Sequence, residues 1–98
     1  MALKEKYDRL LKLVFRRLID VDETRSRYWE HIYVQDDSIC ALHQEIISER
    51  KDDELTKMLL ELAEIKEEIV DKMLFYTQKA TSIAVYLSKK IKEVENEG

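Results

Sequence analysis

Carboxylates at helical spacing carry the most suggestive chemistry in this chain. Glu64, Glu67 and Asp71 stand three and four residues apart. At about 100° per residue they share the side opposite Leu62, Ile69 and Met73. Oxygen ligands so placed suit Mg²⁺, Ca²⁺, Mn²⁺ or iron, so a divalent or ferric ion is the one cofactor to expect. The competing reading is a solvated acidic face, balanced by neighbours such as Glu68 with Lys72. Leu60 and Phe75 fall on the same side, above and below the acids, and such bracketing suggests that another surface comes to lie there.

The remaining polar candidates are sparse. His31 and His43 are too far apart for one site on a straight helix, and no Glu-x-x-His or His-Glu-x-x-His pairing accompanies them. An ordinary surface or interface role is expected for each. Cys40 lies at an inward-leaning position with no histidine four residues away, and Asp36 and Asp37 nearby disfavour a thiolate, so it reads as a small core residue. Tyr28, Trp29, Ile32 and Tyr33 cover more than one helical face; some must be buried by a neighbour, a second subunit or a partner. Arg16, Arg17, Arg25 and Arg27 could hold an anion, but Asp20, Asp22 and Glu23 can neutralise them. No catalytic residue is assigned.

Composition narrows the classes further. The 98 residues are 45% apolar and 39% charged, with no proline and a single glycine, Gly98. Tight β-turns, phosphate-cradling loops and nucleophile elbows all need glycine inside the chain, so short-turned β architecture and much enzyme chemistry are excluded. The net charge is −4, the wrong sign for gripping a phosphate backbone. It is uneven: residues 1–35 carry +2, 36–75 carry −7 and 76–98 carry +1. Nucleic acid is not an expected partner. One cysteine forms no intrachain disulfide, the opening residues carry both charge signs, and no uncharged run approaches the ~20 residues of a membrane span. A cytoplasmic protein without membrane insertion is expected. Asn and Gln together number four, a bias found in hyperthermophile proteins.

The elements that must position these residues are helices. Leu3, Tyr7, Leu10, Val14, Leu18 and Val21 lay one stripe at steps of three and four. The stretch Asp22 to Arg27 has nothing to bury and predicts a bend. A second stripe runs Tyr28, Ile32, Ile39, Leu42 and Ile46, interrupted near Asp36 and Ser38, which could cap or face water. Around Glu49 to Glu54 the pattern breaks, with Asp52 or Asp53 as N-cap of the next helix and Glu54 in its positive first turn. The last stripe, from Leu55 to Val94, spans about 40 residues or roughly 60 Å. It is either one long bundle helix or broken near Thr77 to Ser82. The expectation is a single all-α domain over residues 1–98, an antiparallel helical bundle of two to three long helices at about 2–21, 24–50 and 53–95. Too many apolar groups escape a single stripe, so completion by homo-oligomerisation is expected, with a dimer favoured.

Two family resemblances sharpen this picture. The run Asp36-x-x-Ile39-Cys40-x-Leu42-x-x-Glu45-Ile46 resembles a helix of PhoU-like phosphate-uptake regulators, and Glu67-Glu-Ile-Val-Asp71, followed by Tyr76, Ala80 and Ile83-Ala84, looks like the family's metal-binding segment and the helix after it. The match covers roughly residues 20–85, in the helix order of one three-helix repeat. Val70 stands where the family has glycine, Glu68 where it has arginine, Cys40 where it has an acid or amide, and one repeat replaces the usual two. The resemblance implies an all-helical regulator acting by protein contact, with metal on Glu67 and Asp71. Arg16-x-x-Ile19-Asp20-x-Asp22 is similar to the opening helix of all-α chorismate mutases, which implies, as the enzyme alternative, a polar pocket around Arg16.

The leading expectation is a non-enzymatic interaction or regulatory module. Glu64, Glu67 and Asp71 are its metal candidates, and Tyr28, Trp29, Tyr33, Leu60 and Phe75 its interface. A homo-oligomeric scaffold is the plainer alternative.

Overall fold

The computed structural model describes the backbone of residues 2–24, 29–63 and 73–97, and the side chains of 2–18, 36–63 and 77–97. Four helices account for nearly all of it: α1 (Leu3–Thr24), α2 (Trp29–Glu49), α3 (Asp53–Ala63) and α4 (Met73–Glu97). No strand occurs among the described residues.

Each helix forms where its apolar residues recur at three and four. Tyr7, Leu10 and Val14 of α1 meet Ile39, Leu42 and Ile46 of α2, Leu55, Leu59 and Leu62 of α3, and Ala80, Ile83 and Leu87 of α4 in one buried core. Ion pairs give the directions. Lys6 bonds Glu49 and Arg17 bonds Asp36, so α1 and α2 are antiparallel. Lys4 bonds Glu95 at 2.7 Å, so α1 and α4 are antiparallel as well. Arg50 at the end of α2 forks onto Glu97 at 3.0 and 2.7 Å, which ties together the ends of two helices running the same way. The result is an antiparallel all-α bundle.

α1 continues through Thr24 and α2 begins at Trp29, so the bend expected at 22–27 is not seen at 22–24 and its remainder lies outside the described residues; the last stripe also divides differently. Asp52 faces Tyr86 and Glu61 bonds Lys79 at 2.6 Å, so α3 and α4 lie side by side in opposite directions. The chain therefore turns back between them, and α4 runs unbroken through residues 77–82. Neither a single helix over 53–95 nor a break near Thr77 to Ser82 is present. The reason is energetic: folding α3 onto α4 buries Leu55, Leu59 and Leu62 against Ala80, Ile83 and Leu87, whereas one rod would leave both rows without a partner.

Asp36 and Ser38 do not interrupt α2. Asp36 does not face water either; its side chain, 16% exposed, pairs with the fully buried Arg17 of α1.

Candidate interaction surface

Polar side chains first fix how the helices sit. Asp52 caps α3 as its sequence position suggests, accepting the Leu55 amide at Oδ1 over 3.0 Å. The same carboxylate, nearly buried, lies 2.7 Å from the Tyr86 hydroxyl at both oxygens, so Tyr86 of α4 donates to it. Burial and this bond push the Tyr86 phenol far above its ordinary range. The Lys90 ammonium sits 5.3 Å from the centre of the Tyr86 ring. Beneath them the Tyr7 hydroxyl is buried with no hydrogen-bond partner. Desolvation, reinforced by the Asp52 charge, raises the Tyr7 phenol.

The second joint links α2 to α3. The Thr56 hydroxyl donates to the Asp52 carbonyl at 3.1 Å, so His43 Nε2, 2.8 Å from Thr56 Oγ1, must be the donor of that pair. Burial lowers the His43 pKa, only partly opposed by the Asp52 charge, and favours the neutral ring. His43 is thus a buried structural donor, 7% exposed; of the surface or interface role expected for it, the surface alternative does not hold.

Between α2 and α3 lies an apolar cleft of about 190 Å³, walled by Ile39, Cys40, His43, Thr56, Leu59 and Leu60. Cys40 is exposed at this cleft, contrary to the inward position expected of it. The helical phase places Ile39 and Leu42 in the core, and Cys40 falls outside their arc. Leu60 is 60% exposed.

A second open apolar surface among the described residues is a groove between α1 and α4. Phe15 and Val85, 46% and 65% exposed, belong to its walls, together with Thr81, Ala84 and Ser88. Lys89 and Lys92 also line the groove. Phe15 follows Val14 and Val85 follows Ala84, so each sits one residue off the buried stripe, on the side that neither α2 nor α3 covers. The sequence expectations omitted both, although their displacement from the stripe was a readable sign.

Of the interface residues expected from sequence, Leu60 is exposed. Trp29 and Tyr33 belong to α2 and Phe75 to α4, while their side chains, and Tyr28 altogether, lie outside the described residues. Glu64, Glu67 and Asp71 also lie outside them. Leu60 belongs to α3 and Phe75 to α4, two separate antiparallel helices, so these two residues do not share one helix face. Among the described residues no three His, Cys, Asp or Glu side chains converge as a metal site. Arg16, around which the enzyme alternative places a pocket inside the bundle, is exposed; the buried arginine is its neighbour Arg17, held by Asp36. No helix of the described residues is long and apolar enough to cross a membrane. Comparison with protein-family models, curated proteins and solved structures finds no match to this chain.

Proposed function

We propose that this protein is a helical interaction module that works by presenting the groove between α1 and α4 to another helix. The observation that carries the reading is the pair Phe15 and Val85, large apolar side chains left 46% and 65% exposed on adjacent helices. Single exposed apolar residues are ordinary, whereas two of them flanking small residues in one groove form a patch that favours contact. The polar groups brought together elsewhere support a contact role. Asp52, Tyr86, Thr56 and His43 are engaged in joining helices, and the cleft beside them has mainly apolar walls. A PhoU-like version of the module adds a metal at Glu67 and Asp71, supported by the sequence resemblance, with Glu64 joined to them by helical spacing alone.

A photo-crosslinking amino acid at position 85, with position 51 as an exposed control in the connection between α2 and α3, tests the reading in the cells that make the protein. Adducts heavier than the chain are expected from position 85 and not from position 51. Equal labelling at both positions, or none at position 85, refutes it.

A further inference from the structure

The α1/α4 groove is self-complementary. Within the chain Lys4 is level with Glu95, where the two are bonded at 2.7 Å, and Phe15 shares a groove with Ala84 and Val85. Between these two levels the antiparallel register sets Leu11 near the height of Ser88 and Asp8 near that of Lys92. Lys4, Asp8, Leu11 and Phe15 recur at helical spacing and lie along one line of α1; Thr81, Val85, Ser88 and Lys92 do so on α4.

A twofold axis running parallel to the helices, in the plane of the groove, would lay α1 of one copy on α4 of another. The helices would be antiparallel and at those same heights. Phe15 then packs on the second copy's Val85, and the reverse, so the same contact is made twice by symmetry and both apolar side chains are covered. Small Thr81, Ala84 and Ser88 let the helix axes approach closely. Charges agree as well. Asp8, now paired with Lys12 at 3.0 Å and 47% exposed, comes level with the second copy's Lys92, and Lys4 with the second copy's Glu95. A twofold perpendicular to the helices at the height of Val85 instead stacks α4 on α4 and sets Lys89 and Lys92 over Thr81 and Gln78, with no carboxylate opposite on α4. Size is adequate too. The molecule measures 43 × 22 × 20 Å, so its long face can supply the ~800 Å² per partner of a standard interface.

We infer that the occupant of this groove is a second copy of the same chain, forming an isologous four-helix seam with α1 against α4 across the twofold. The inference rests on the interaction-module reading and names its partner.

Sedimentation equilibrium of the intact protein, from micromolar to sub-millimolar concentration, tests it. A species of twice 11.8 kDa is expected. Phe15→Glu and Val85→Glu, each checked for unchanged helical circular dichroism, weaken association by about 30-fold or more, as loss of a central apolar anchor does. Asp8→Lys weakens it by about tenfold, and adding Lys92→Asp restores most of that loss, whereas either change alone does not. Three results overturn the inference: a monomer at every concentration, a dimer indifferent to Phe15→Glu and Val85→Glu, or no rescue by the charge exchange. A purified monomer that still crosslinks in cells through position 85 to a different protein overturns the second-copy inference and leaves the module reading standing. A monomer with no such crosslink overturns both.

Discussion

Replacing Asp52 with alanine should destabilise this bundle more than any exposed substitution, because one carboxylate serves two helices. The change removes the cap on the Leu55 amide, worth about 1 kcal/mol. It also removes the acceptor of the Tyr86 hydroxyl; a hydrogen bond to a charged group contributes about 1.5–3 kcal/mol. Tyr86 is only partly buried, so its freed hydroxyl can find water, and the lower end of that range applies. The expected loss is therefore about 2.5–3 kcal/mol out of the ~5–15 kcal/mol typical of a domain this size. At ~4–8 °C per kcal/mol the melting temperature falls by roughly 10–25 °C. Asp52→Asn, which keeps an oxygen for the Leu55 amide but loses the charge, should cost about half as much. Tyr86→Phe removes only the shared bond, so a double-mutant cycle isolates it. Urea unfolding followed at 222 nm, at one fixed protein concentration because association would add to stability, should give a coupling of about 1 kcal/mol or more between the two sites. Additivity of Asp52→Ala and Tyr86→Phe within about 0.3 kcal/mol would show that the carboxylate does not join α3 to α4, and would refute the reasoning.

Tyr7→Phe should raise stability by up to about 1 kcal/mol, since it removes a buried hydroxyl without a partner; a clear loss in urea unfolding contradicts this. His43, with its pKa lowered by burial, binds a proton more readily when unfolded. Stability should therefore fall as the pH drops below about 6.5, a window above the carboxylate range in which Glu61 and Glu97 titrate. His43→Gln, which can still donate to Thr56, should flatten the melting temperature between pH 7.5 and 5.5, with His31→Gln as control; an unchanged slope would discount the buried imidazole. Cys40, being exposed, should react with a thiol reagent in the native protein, whereas reaction only after unfolding would place it inside the core. The PhoU-like version predicts that Mn²⁺, Fe³⁺ or Mg²⁺ raises the melting temperature and that Glu67→Ala with Asp71→Ala abolishes the rise; no shift in the unmodified protein removes that version.

Local chemistry was legible in the residues themselves. An interior without glycine or proline, with apolar side chains at steps of three and four, leaves the helix as the regular structure that hides them. The Asp52 cap could also be read, because a capping aspartate acts within a turn of the backbone. What the tertiary structure alone decided involves choices between similar neighbours. Leu18 belongs to the stripe of α1 and Arg17 only borders it, yet Arg17, paired with Asp36 on another helix, is fully inside while Leu18 is half-buried. His43 becomes a buried donor because Thr56, thirteen residues away, offers an oxygen. The stripe from Leu55 to Val94 keeps its period across the reversal between α3 and α4, so periodicity carries no mark of it. Periodicity records which side of a helix must be covered, whereas only the packed structure decides what covers it and leaves Phe15 and Val85 uncovered.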